Sequence, residues 1–159
     1  AGLWLRKQSN VDADRIYVYG GSYGGYLTAM ALGRNSDIFA GGVDIHGVHD
    51  RTRYSYLNNY SYEKASEYDL GRRTAWKSST VSNVNTWKSP VLIIHADDDR
   101  NVDFRQSTDL VQRLRKKDVY METIVIVDDT HHFMMFDNQM KVNKSTADFL
   151  IRLSKGLIN

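Results

Sequence analysis

The chain of 159 residues contains no cysteine and one proline. Without thiols there are no disulfides, no thiolate nucleophile and no thiolate metal site, while the compartment stays open. Net charge is also scarce: 21 Lys and Arg against 19 Asp and Glu leave a formal +2. The two signs are interspersed, so there is neither a basic stripe nor an acidic tail, and a nucleic-acid partner is not expected. No apolar run is long enough to span a bilayer, so membrane insertion is not expected either. No signal peptide is visible. The chain starts at Ala1, in what reads as the middle of a helix, the pattern expected of a piece of a longer protein. A periplasmic, secreted or cytoplasmic location all remain compatible.

What is present is a globular composition, 42% hydrophobic, suited to one domain with a real core. Four short apolar runs read as buried strands: Arg15–Gly20, Phe39–Ile45, Pro90–Ala96 and Met121–Asp128. Near-continuous runs of this kind suit a parallel sheet covered on both faces. Helical patterns alternate with them, over Gly24–Leu32 (stopping at Gly33), Gln106–Lys117 and about Asn138–Ser154. In the last, Met140, Val142, Ala147, Leu150, Ile151 and Leu153 mark the apolar positions. Strand–helix alternation predicts βαβ units: an α/β fold with a parallel sheet of about four strands and flanking helices. The stretch Arg51 to Lys88, rich in Tyr, Ser, Asn and charge, is too long for a bare loop and is expected to hold short helices. Such an insertion sits over the carboxyl ends of the strands, where ligands bind in open α/β sheets.

The first strand meets the first helix at Gly20-Gly21-Ser22-Tyr23-Gly24-Gly25. This contains G-x-S-x-G, the pattern of a nucleophile on a sharp strand-to-helix turn. Both flanking glycines are expected to be demanded by crowding of strand and helix, and the helix start would aim N–H groups at developing negative charge. A chance match over this length is roughly a one-in-twenty accident at ordinary Gly and Ser usage. The glycine spacing does not fit the nucleotide-binding patterns. In such a sheet the acid and the histidine follow the serine in chain order, each after a later strand. Strand Pro90–Ala96 runs into Asp97-Asp98-Asp99, and strand Met121–Val127 into Asp128-Asp129-Thr130-His131-His132. Serine needs a base within hydrogen-bond reach, histidine titrates near neutrality, and a carboxylate fixes its tautomer. On residues alone Asp97, Asp98 and Asp99 all remain candidates for the acid, and His131 and His132 for the base.

These motifs together resemble the prolyl oligopeptidase family, which includes dipeptidyl and acylaminoacyl peptidases. Gly20 to Tyr26 is similar to its nucleophile motif. Ile94 to Val102 resembles its H-G-x-x-D-x-x-V turn, which implies Asp99 as the acid. Val127 to Phe133 resembles its D-E-x-H-x-F turn, which implies His131 as the base. Trp76-Lys-Ser-Ser and Trp87-Lys-Ser-Pro90 resemble bacterial members. Two positions depart from the pattern: Ala96 stands for the usual Gly after His95, and Thr80 where Pro often follows Ser-Ser.

The resemblance implies an α/β-hydrolase catalytic domain of which residues 1–159 form the C-terminal half. The earlier strands, a β-propeller and a tyrosine that donates to the oxyanion would lie in a missing N-terminal part, the expected partner of this chain. It implies a serine-type peptidase acting on short peptides through an acyl-enzyme on Ser22, without cofactor or metal. The backbone N–H of Tyr23 would be the remaining oxyanion donor. Tyr54, Tyr56, Tyr60 and Asn101 are substrate-binding candidates, with Tyr62 beside them. Alternatives are a carboxylesterase or amidase on the same triad, or a truncated non-catalytic remnant. The chain by itself is expected to be weakly active or inactive, and an oligomer is compatible with the open edge of its first strand. His46-Gly-Val-His49-Asp50 has metal-like composition but reads as a family strand end.

Overall fold

A computed structural model of the chain describes residues 1–53 and 68–158. A short helix α1 (Gly2–Leu5) precedes strand β1 (Tyr17–Gly21), helix α2 (Tyr23–Arg34) and strand β2 (Gly41–Ile45). In the insertion, a 3-10 turn at Arg51–Arg53, helix α3 (Tyr68–Lys77) and a 3-10 helix at Thr80–Thr86 follow. The chain then runs through β3 (Val91–Ala96), α4 (Arg105–Arg115), β4 (Met121–Ile126) and α5 (Phe136–Ser154). The expected short helices of the insertion are thus present where it is described. Tyr54, Tyr56, Tyr60 and Tyr62 lie outside the described residues.

The strands form one sheet in the order β1-β2-β3-β4. All three pairings are parallel. Spatial order therefore equals chain order, and every strand delivers its following turn to the same rim. β2 and β3 are buried at every position, as continuous apolar runs require. β1 and β4 each pair with one strand among the described residues and mix half-buried with exposed positions, β4 ending in the buried Ile126.

The pleat sorts β3 into two cores. Val91 and Ile93 join Ala29, Leu32, Trp87, Leu110 and Leu114 on the α2/α4 face. Leu92, Ile94 and Ala96 join Val43, Ile45, Ile126, Val142 and Phe149 under α5. Leu110 and Leu114, one helical turn apart, make the apolar stripe of α4. Two helix expectations need correction. Gly33 does not end α2: the helix runs through Arg34, and a Cβ on Gly33 would stand 3.3 Å from Asn83 and Trp87, so this glycine allows close packing. In α5 the buried residues are Val142 and Phe149, while Ile151 is 50% exposed. Phe149, absent from the expected apolar positions, is fully buried, with Leu150 and Leu153 half-buried beside it.

Candidate active site

Ser22 stands between β1 and α2 with φ 57° and ψ −117°. This is a strained conformation for a residue with a Cβ, of the kind that persists where its surroundings over-determine it. Its N–H donates to Ile45 O at 2.9 Å and to His46 Nδ1 at 3.1 Å. The crowding argument for the flanking glycines holds on one side only. A Cβ on Gly20 would lie 2.5 Å from the Gly24 backbone, whereas one on Gly24 would meet nothing within 4 Å. The glycine that sequence reasoning missed is Gly25, whose Cβ would lie 2.5 Å from Asp44 Oδ1 and 2.6 Å from Ile45 O. α2 packs against the end of β2 through that position.

The acid turn selects Asp99 from its neighbours. Asp97 and Asp98 are exposed; Asp97 Oδ1 accepts the Asp128 N–H, and Asp98 pairs with Arg100. Asp99 is buried, and its Oδ1 accepts the N–H groups of Asn101 (2.8 Å) and Val102 (2.9 Å). Its Oδ2 faces two imidazoles, His131 Nδ1 at 2.6 Å and His95 Nε2 at 3.1 Å. Burial alone would raise its pKa. The Val102, His131 and Asn101 hydrogen bonds outweigh it and hold the carboxyl below its ordinary range. The turn forms with Ala96 in place of glycine, that alanine being fully buried at the end of β3.

His95 is a second residue whose role the sequence did not disclose. Its Nδ1 lies 2.7 Å from Ser107 Oγ, and its Nε2 also reaches Val102 O at 3.0 Å. With Nε2–H donating, Nδ1 accepts the serine hydroxyl, and the ring braces Asp99 from β3. Burial lowers its pKa, against the opposing pull of Asp99.

His131 is buried while His132 is exposed. Since Nδ1–H of His131 donates to Asp99, its Nε2 is the basic nitrogen. Two residues of this loop have positive φ, Asp128 (56°) and Phe133 (47°). Asp129 holds it together: Oδ1 accepts the N–H groups of Thr130 (2.7 Å) and Met134 (2.9 Å), and Oδ2 the Asn138 amide (2.8 Å). Those bonds overcome the upward push of burial and lower the Asp129 pKa.

Ser22, His46, His131 and His132 line one open cleft of about 590 Å³, with Tyr19 of β1 and Gln139 of α5 on its walls. Ser22 Oγ makes no hydrogen bond with His131 among the described residues; catalytic contacts of this type commonly tighten only around substrate. Tyr23 is the first residue of α2, so its N–H has no partner within the helix, nor any among the described residues. Asn101 has an exposed side chain that is not part of the cleft wall. Of the histidines with metal-like spacing, His49 turns away from the rim, its Nε2 lying 3.0 Å from the fully buried Asp44 Oδ2. His46, Asp99 and His131 place donor atoms within 4.8 Å of one another, yet Asp99 Oδ2 and His46 Nδ1 already have partners.

Comparison with known proteins follows this geometry. The sequence profile of the prolyl oligopeptidase family matches residues 1–156. Dipeptidyl aminopeptidase BIII of Pseudoxanthomonas mexicana is 28% identical over 96% of this chain, which spans 24% of that protein. A relative from Rattus norvegicus, 29% identical over 81% of this chain and 16% of its own length, bears the name inactive dipeptidyl peptidase 10. Among solved structures, an acylaminoacyl peptidase in complex with Z-Gly-Gly-Phe-chloromethyl ketone superposes with a TM-score of 0.79 at 25% identity, over 94% of this chain and 25% of that one. The chain thus spans about a quarter or less of these proteins.

Proposed function

The chain belongs to the prolyl oligopeptidase family, and on that premise we propose that it carries the nucleophile, base and acid of a serine peptidase acting on short peptides. The observation that carries this reading is the buried 2.6 Å contact of His131 Nδ1 with Asp99, with Ser22 strained on the same rim. Ser22 Oγ attacks the scissile carbonyl carbon while His131 Nε2 takes its proton. The Asp99 carboxylate stabilises the resulting imidazolium. Negative charge on the tetrahedral oxygen meets the free N–H of Tyr23 at the positive end of α2. The imidazolium then protonates the leaving amine, the carbon–nitrogen bond breaks, and an ester to Ser22 remains. Water, deprotonated by His131, hydrolyses that ester by the same route.

Tyr54, Tyr56, Tyr60 and the exposed amide of Asn101 are proposed to contact the peptide. The rest of the catalytic domain, with a second oxyanion donor, is proposed to come from the longer protein; the open edge of β1 supports this. Loss of one such donor costs about 10²–10³ in turnover, so residues 1–159 alone are expected to work poorly.

A fluorophosphonate probe tests the reading on the full-length protein. Labelling at Ser22 that disappears in Ser22→Ala supports it, and labelling that survives the substitution refutes it. Hydrolysis of Xaa-Pro amides alongside p-nitrophenyl esters is expected; ester cleavage alone would make the protein a carboxylesterase.

A further inference from the structure

Each strand leads at the rim into a turn that places a buried or half-buried polar side chain there: Ser22 after β1, His46 after β2, Asp99 after β3 and His131 after β4. Because sheet order follows chain order, the β2 turn stands between the turns of the nucleophile and the acid. Three of these groups have parts in the reaction above; His46 has none.

His46 is nonetheless held as tightly as the others. It is 7% exposed and has φ 41°, a conformation unfavourable for a residue with a Cβ. Its backbone N–H donates to Ile94 O at 2.7 Å. Behind it, Asp44 Oδ1 accepts the Gly47 N–H at 3.1 Å, and a Cβ on Gly47 would lie 2.6 Å from that oxygen. In front, His46 Nδ1 accepts the Ser22 N–H at 3.1 Å, and its ring centroid lies 4.0 Å from that of His131. Phe133 closes a third side at 5.4 Å.

We infer that His46 is a positioning residue, which fixes the backbone of the nucleophile on one side and seats the ring of the general base on the other. The inference rests on the serine peptidase reading. It requires a neutral ring, because Nδ1 can accept from Ser22 only if the proton sits on Nε2. Burial lowers the His46 pKa to about 4, and the neighbouring His131 and His95 add to the effect against the pull of Asp99 and Asp44. His46 therefore stays neutral while His131 gains a proton. The imidazolium then faces an uncharged ring, with Asp99 on its Nδ1 side and His132 edge-on at 5.3 Å. A charged His46 would lose its hold on Ser22 and set a second cation 4.0 Å from the first.

Two variants of the full-length protein suit the positive φ and separate the roles. His46→Gly removes the ring at no backbone cost, and His46→Asn keeps an acceptor near the position of Nδ1. His46→Gly is expected to lower kcat by about 10²-fold, the effect of a small misplacement of reacting groups. KM should stay within about twofold, and fluorophosphonate labelling should slow in parallel. His46→Asn is expected to recover most of both. A folded His46→Gly with unchanged kcat and labelling, or with a change in KM alone, overturns the inference. If His46→Gly does not fold, His46→Asn decides: kcat within about tenfold of the parent upholds it, and any deeper loss overturns it. Activity persisting in Ser22→Ala would instead remove the peptidase reading itself.

Discussion

The rim at the carboxyl ends of the strands and the centre of the sheet are built on opposite terms. At the centre, β3 contributes Val91, Leu92, Ile93 and Ile94, all buried and sorted by the pleat into two apolar cores. At the rim, Ser22, His46, Asp128 and Phe133 are four of the five non-glycine residues with positive φ among the described residues. The buried Asp99, His95, His131 and Asp129 cluster there too. Backbone strain and desolvated polar groups are unfavourable one by one. They persist at the rim because each carboxylate is saturated with hydrogen bonds and because the apolar layers beneath hold the strand ends fixed.

The sharpest way to break that contrast is to disable the rim while leaving the core untouched. Ser22→Ala and Asp99→Asn are each expected to cut peptide hydrolysis by the full-length protein by about 10⁴-fold or more, with thermal unfolding little changed for Ser22→Ala. Substitution in the core should do the reverse. Phe149, fully buried beneath the sheet, should cost about 3–5 kcal/mol of stability as Phe149→Ala, read by chemical denaturation. The protein that remains folded should keep its probe-labelling rate.

Acid sharpens the comparison further. His46 titrates near 4 in the folded chain, against an ordinary value of 6.5. As pH falls from about 6.5 to 4, the unfolded chain takes up a proton that the folded chain refuses, so stability falls across that window. The contribution is complete above it and amounts to about 3 kcal/mol. His46→Asn should show a correspondingly shallower loss in denaturation curves at pH 6.5 and pH 4. The carboxyls of Asp99 and Asp129, held below their ordinary values, act in the same direction over a lower pH window. Their stabilisation is present above the ordinary carboxylate range and is lost only as pH falls through their lower folded values.

The smallest effects separate the two glycines of the nucleophile motif. Gly20→Ala puts a Cβ 2.5 Å from the Gly24 backbone and should destabilise by about 1–3 kcal/mol. Gly24→Ala meets open space inside the first turn of a helix and should leave stability unchanged or raise it by up to about 1 kcal/mol. Equal losses from both would restore the symmetrical reading of the motif.

Much of the fold was legible in the chain because its signals are local. Four apolar runs separated by helical periodicity predict four parallel strands, and each strand was found within two residues of its expected ends. Apolar periodicity was less informative for α5, where the fully buried Phe149 was not among the expected apolar positions and Ile151, which was, is exposed. Ser22 stood out by its own motif, whereas Asp99 and His131 were singled out from Asp97, Asp98 and His132 by the family resemblance alone. His46 and His95 could not be picked out, because a histidine at a strand end looks the same whether it braces a carboxylate, accepts from a nucleophile's amide or meets solvent. The one available hint was that both central strands carry a histidine at the rim, His46 just after β2 and His95 one residue before the end of β3.

Composition and patterning by themselves determined that this polymer makes a parallel α/β sheet with a hydroxyl, carboxylates and imidazoles at its strand ends, because hydrophobic period and turn chemistry are properties of neighbouring residues. Only the tertiary structure decided which carboxylate and which imidazole meet, that His95 braces Asp99, and that His46 lies between Ser22 and His131. Those choices depend on distances between segments far apart along the chain, and such distances exist only once the sheet has set the order of its strands.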